Sequence, residues 1–258
     1  MVEIFFISIL ACLIAILTFF SGFGLGTLLT PILLVFFPTE LAITLTGVVH
    51  LVNNIFKWFL IKKEINWSIV LKFGIPAIIS ALIGAYLIFF FKDLKTIYHY
   101  SMLGKPIEQN LLKIIISIIL ICFTLIELIP KTRDLKFETK WLPIGGLLSG
   151  FFGGISGIQG ALRSAFLIKT NLSKEAFIST AVVISTLVDI TRVGVYFSSI
   201  NIFEIPDQYY LLILTCTGAI LGSVIGNFAL KKITISFIQK VVNICLLILA
   251  ISLALGLI

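Results

Sequence analysis

The chain has 258 residues, 59% of them hydrophobic and only 12% charged, with a mean hydropathy of +1.18. Soluble domains run at roughly 45–50% apolar and about 25% charged, so too few charges are present to cover a water-facing surface around this apolar mass. The chain belongs in a bilayer: at about 20 apolar residues per crossing it has room for roughly six to eight spans and almost no extramembrane domain. The net charge of +7 resides on residues in short loops between apolar runs, where lysines set orientation. No basic cluster joins a folded soluble module, which excludes a nucleic-acid partner.

Cys12, Cys122, Cys216 and Cys245 all fall inside apolar runs. They lack the paired spacing of a disulfide framework or a structural zinc site and read as small hydrophobes between helices. No metal and no cofactor is expected. Met1-Val2-Glu3, followed by the apolar 4–20, lacks the basic segment and small-residue cleavage site of a removable signal peptide. It is expected to remain part of the fold.

In chain order the apolar runs are about 4–37, 41–61, 67–91, 111–130, 141–168, 175–199, 208–230 and 234–258. The first is interrupted at Ser21-Gly22-Phe23-Gly24-Leu25-Gly26-Thr27. The fifth is interrupted at Gly150-Phe151-Phe152-Gly153-Gly154-Ile155-Ser156-Gly157-Ile158-Gln159-Gly160. Each helical glycine costs up to about 1 kcal/mol against alanine, so such a density ends a helix. Each arm of the fifth run has about 14 residues and reaches about 21 Å, short of the roughly 30 Å hydrocarbon core. This run is therefore expected to enter halfway, turn on its glycines and leave by the same side, and the first run shares the design.

Charge placement agrees with two re-entrant hairpins and six crossings. Assigned to the cytoplasm, the stretches 57–72, 131–140, 169–174 and 231–240 hold Lys57, Lys62, Lys63, Lys72, Lys131, Arg133, Lys136, Lys140, Lys169, Lys174, Lys231, Lys232 and Lys240. Both termini and the acidic stretch Asn201–Asp207 then lie outside. The exception is the 92–113 loop, whose Lys92, Lys95, Lys105 and Lys113 are partly offset by Asp93 and Glu108.

The halves repeat. Gly26 through Val49 aligns without gaps to Gly160 through Val183, and Pro76, Ser80 and Gly84 match Gly218, Gly222 and Gly226, ladders that let helix backbones approach closely. A first repeat over 1–130 and a second over 141–258, joined by a linker at 131–140, are expected. Each is a hairpin plus three crossings, an odd number that turns the second upside down. Inverted repeats with broken helices at the midplane are the plan of secondary transporters. The fold class expected is all-α and polytopic.

The first hairpin, with Pro31 after its glycines, resembles the sulfite exporter TauE/SafE family of membrane permeases, as does Gly146 through Gly160 of the second. The resemblance covers essentially the whole chain through its repeat plan. It implies a multi-pass transporter for small sulfur-containing anions such as sulfite or sulfonates. The second motif departs from the commonest family form, a nearly continuous glycine run, because Gln159 and Arg163 interrupt it.

Arg163 lies three residues after Gly160, in the first turn of the outgoing half-helix and near the midplane. An arginine there costs at least about 2.5–3.5 kcal/mol and marks a pathway or pairs with an acid, and none lies within a helical turn. The helix N-terminus adds roughly half a positive charge, so Arg163 is expected to bind an anion. Binding carbonyls of the other hairpin tip is the structural alternative. Asp189 and Arg192, at i and i+3, share a helix face and can pair, or Asp189 can serve as counter-ion to Arg163. His50 and Asn54 share a face in mid-span with Asn53 one position off; His50 could relay protons or bond between helices. Ser156, Gln159 and Gly160 at one tip, with Gly24, Gly26 and Thr27 at the other, could offer donors to substrate oxygens. Glu127, near the cytoplasmic end of its span, is expected at the interface.

The function expected is a permease moving sulfite, a sulfonate or a related oxyanion across the cytoplasmic membrane by alternating access. An anion channel is the alternative. An intramembrane enzyme is disfavoured, since the only histidines are His50 and His99 and no HExxH motif or paired aspartates occur within spans. Partners expected are a small anion, the bilayer and a coupling ion such as the proton, with a homodimer left open.

Overall fold

The computed structural model describes residues 2–19, 24–61, 64–92, 98–102, 105–109, 111–129, 137–199, 208–229 and 235–257. Among the described residues the chain is helical apart from short connections and one small β-hairpin. In order, the helices are α1 (Val2–Thr18), α2 (Gly26–Phe36), α3 (Thr39–Leu60), α4 (Trp67–Phe91), α5 (Leu111–Leu128), α6 (Leu142–Ser156), α7 (Gly160–Leu167), α8 (Lys174–Ser199), α9 (Gln208–Ala229) and α10 (Ile235–Ala254). Among the described residues α3, α4, α8 and α9 are long and apolar enough to cross a membrane. Shorter apolar stretches lie in α1, α2, α5 and α10.

Both Gly-broken runs divide into two helices. The fifth run becomes α6 (15 residues) and α7 (8 residues), about 22 and 12 Å long at 1.5 Å per residue. The break is Gly157, whose φ of +78 is a left-handed cap that glycine adopts without strain. The first run becomes α1 and α2, and Gly24 beside the break has φ +81. Ser21, Gly22 and Phe23 of that tip lie outside the described residues, as do Met1, Ile258, the linker positions 131–136, the stretch 201–207, and Lys62, Lys63, Asp93, Lys95, Lys231 and Lys232.

Two helix pairs form by near contact of backbones. Gly218, Gly222 and Gly226 of α9 face the carbonyls of Ser8, Cys12 and Ile16 of α1, so closely that a Cβ at Gly218 or Gly222 would overlap the facing oxygen. Gly146, Gly150 and Gly154 of α6 face the carbonyls of Phe73, Ala77 and Ala81 of α4 in the same way. In both pairs the register advances by four on each helix in the same direction, so α1 runs parallel to α9 and α6 parallel to α4. The glycines stand on α9 in one pair; in the other, three stand on α6 and one on α4. On α4, Ser80 sits under Gly150, and Gly84 packs on the carbonyl of Phe151. Small residues fit these seams because, in lipid, close packing between helices replaces the hydrophobic drive.

At the centre α3 packs antiparallel on α8: Gly47 meets Val193 and Tyr196, His50 meets Asp189, and the Ile61 carbonyl accepts from the Ser179 hydroxyl at 2.7 Å. The start of α4 is capped by the Asn66 side chain, which accepts from the Ile69 N–H at 3.1 Å. Its first turns open into a π-turn over Val70–Gly74. Pro76 follows one residue beyond it and cannot donate to the turn below, and a widened turn absorbs that missing bond.

The 92–113 stretch, expected as a loop, contains a β-hairpin. Tyr98–Met102 (β1) pairs antiparallel with Lys105–Gln109 (β2). Gln109 donates from Nε2 to the carbonyls of Leu253 and Ala254 at 2.7 and 2.8 Å, satisfying the end of α10.

Candidate functional site

The two hairpin tips meet. A Cβ on Gly26 would lie 3.2 Å from the Gly157 carbonyl, and the Thr30 hydroxyl donates to the Ser156 carbonyl at 3.3 Å. Both tips also face buried charge: a Cβ on Gly24 would sit 2.9 Å from His50 Nε2, and one on Gly157 2.8 Å from Arg192 Nη1. Both glycines hold a left-handed φ, +81 at Gly24 and +78 at Gly157, that other residues adopt only with strain.

Asp189, fully buried, is the hub. Its Oδ2 lies 2.7 Å from His50 Nδ1 and accepts from Asn54 Nδ2 at 2.8 Å. Its Oδ1 accepts from Arg192 Nε at 2.9 Å and from Gln159 Nε2 at 3.3 Å. Four side chains from α3, the second tip and α8 therefore converge on one carboxylate, as a buried charge requires. Arg192 Nη1 and Nη2 make no hydrogen bond, and its guanidinium lies 6.0 Å from the Tyr196 ring centre. Asn53 turns away from the hub and accepts from Ser223 of α9 at 2.6 Å.

Arg163 is not bonded to Asp189. It donates from Nη1 to the Ser185 hydroxyl at 3.1 Å, and its buried Nε has no partner. Beside it opens a small cavity lined by Thr18, Gly24, His50, Asn54, Lys57, Arg163 and Ser185 together with Phe19, just after α1, and apolar side chains of α8. No carboxylate lines it among the described residues.

The other tip residues serve the hairpins. Thr27 donates to the Gly24 carbonyl at 2.8 Å, and Ser156 donates to the Phe152 carbonyl at 2.8 Å while accepting from the Ile158 N–H at 3.3 Å. Gln159, through its carbonyl, accepts from the Ser149 hydroxyl at 3.0 Å. Gly160 opens α7, one turn before Arg163.

Lys57 corrects the charge assignment made from sequence. Counted there with a cytoplasmic stretch, it is buried within α3 at 4% exposure and lines the cavity. Lys57 and Ser185 are the site residues that sequence reasoning missed. The signal was available in helical spacing: Lys57 follows His50 by seven and Asn54 by three, and Ser185 precedes Asp189 by four, so both share the faces already singled out.

Broken helices meeting tip to tip, a buried charge hub and a cavity lined by basic residues define a multi-pass membrane protein with a polar site enclosed in its helical core. The family model described as Sulfite exporter TauE/SafE matches residues 7–253, nearly the whole chain. The chain belongs to this family of membrane transporters. No curated protein and no solved structure matches it.

Proposed function

We propose that the chain is a secondary transporter that moves a small anion, sulfite, a sulfonate or a related oxyanion, across the cytoplasmic membrane by alternating access, with no catalysed reaction. The observation that carries this is Arg163: a guanidinium 5% exposed, held by one neutral hydroxyl, with an unpaired Nε, beside a cavity that no carboxylate lines. A buried cation left in that state carries a large desolvation cost, which an anion in the cavity offsets. The N-terminus of α7 adds its partial positive charge in the same place, one turn before Arg163. The planar fork of Arg163 suits two oxygens of a sulfur oxyanion, the ligand class named by the family.

The halves 1–130 and 141–258 are inverted repeats in this proposal. The parallel seams support it: α1 pairs with a helix of the second half and α6 with the corresponding helix of the first. The tips touch through Thr30 and Ser156, and in this reading their contact closes the path on one side, as alternating access requires and a channel's continuous pore does not. His50 and Asp189 are the pair through which a coupling proton would act. Purified protein in proteoliposomes should give saturable anion flux; ohmic current without saturation would establish a channel instead.

A further inference from the structure

We infer that Lys57 is a second cation of this cavity and makes it select doubly charged oxyanions over singly charged ones, a proposal that rests on the cavity being the anion site. Lys57 is 4% exposed, and its recorded contact is the Phe19 ring, with Nζ 5.2 Å from the ring centre. It has no hydrogen-bond or ion-pair partner among the described residues, although burying an ammonium without one is costly. Asp189 supplies no relief, because both its oxygens are taken by His50, Asn54, Gln159 and Arg192.

Two like charges therefore border one cavity, Lys57 from the last turns of α3 and Arg163 from the first turn of α7, and Asn54 and Ser185 line it as neutral groups. A ligand carrying two charges answers both cations, whereas one carrying a single charge leaves one unanswered. Arg163 contributes shape recognition through its fork and Lys57 contributes a point charge. Charge number is thus set by Lys57 and oxyanion geometry by Arg163.

Sulfate and methanesulfonate are suitable probes at neutral pH, since they share a sulfur centre and three oxygens and differ by one charge. Equilibrium binding of each radiolabelled anion to the purified full-length protein should favour sulfate by at least about tenfold in the wild type. In Lys57→Met the sulfate affinity should fall by at least that factor while methanesulfonate still binds, and Lys57→Arg should restore the preference. Lys57→Gln, closer in polarity, is carried alongside and should behave as Lys57→Met does. Retention of the wild-type preference in both neutral variants overturns the role of Lys57, as does a wild type that favours methanesulfonate. Arg163→Ala should bind neither anion. If it binds both as the wild type does, the placement of the anion at Arg163 fails whatever Lys57 shows, and a wild type that binds neither anion overturns both.

Discussion

Arg163 and Arg192 stand on neighbouring helices and differ in what answers their charge. Arg192 has a carboxylate at 2.9 Å, whereas Arg163 has a hydroxyl at 3.1 Å. Substitution should separate the two. Arg163→Ala removes an uncompensated charge, so the protein should insert and stay monodisperse while transport is lost; Arg163→Lys should transport weakly, keeping charge without the fork. Near wild-type flux in Arg163→Ala, or loss of folded protein as its sole effect, sinks the anion role. Asp189→Asn should do the reverse and destabilise the fold by about 3–5 kcal/mol, because it strands Arg192 and places an amide donor among the donors of Asn54 and Gln159. Unfolding in detergent checks this, and an unchanged midpoint would show that Asp189 does not hold the core. Much of this cluster was legible in the sequence, since His50, Asn54, Gln159, Arg163, Asp189 and Arg192 are polar residues inside apolar runs. Lys57 was not, because a lysine near a helix end ordinarily reaches toward water, and only its register on the His50 face shows that it turns inward.

Glycine spacing carries the element scale. A break in each run was readable from its glycines, and the structure places it at Gly157 in the fifth run and beside Gly24 in the first. The expected interruption over 150–156 is instead helical, because Gly150 and Gly154 there lie against the α4 backbone and do not end α6. Which partner each ladder meets was not readable. The matched triplets Pro76, Ser80, Gly84 and Gly218, Gly222, Gly226 lie on corresponding spans, yet at the α4 seam three of the close-packed glycines belong to α6 and only Gly84 to α4. Spacing reveals a face prepared for close approach and leaves the partner to tertiary packing. The β-hairpin escaped because its charged residues dominated that loop's reading, although aromatic residues cluster in β1. Leucine at Gly150 or Gly222 should force the paired backbones apart, giving aggregated or poorly expressed protein by size exclusion in detergent. Gly194→Ala is the control: nothing lies within 4 Å of its added Cβ, so it should be tolerated or gain up to about 1 kcal/mol from helix propensity. Monodisperse Gly150→Leu protein at wild-type yield would mean that the α4–α6 seam is not a close-packed one.

For the whole molecule, helix directions join the seams to the membrane. α3 is antiparallel to α8, α1 is parallel to α9, and α6 is parallel to α4. Asn66 meets Thr180 and Gly74 meets Ile184 and Leu187, so α4 runs parallel to α8 and antiparallel to α3. If α1 enters from outside and stops at the tip, α2 returns and α3 crosses inward, leaving the basic positions Lys62, Lys63 and Lys72 at the cytoplasmic side. Following the chain through α8 and α9 by the same rule sends α6 in from the cytoplasm, next to Lys140. Helix lengths agree, since α2 and α7 hold 11 and 8 residues, about 17 and 12 Å, too short for a roughly 30 Å core. If both hairpins are re-entrant and the chain crosses six times, it returns to its starting side. Met1 and Ile258 should therefore both be non-cytoplasmic, with Lys140 and Lys169 cytoplasmic. Cysteine labelling with an impermeant reagent at these four positions, in a variant lacking Cys12, Cys122, Cys216 and Cys245, reads all of them in intact cells. Labelling of the termini alone is the expected pattern. Protection of one terminus would mean that one hairpin crosses fully, and the inverted arrangement would fall with it, because its two halves would no longer hold equal and odd numbers of crossings.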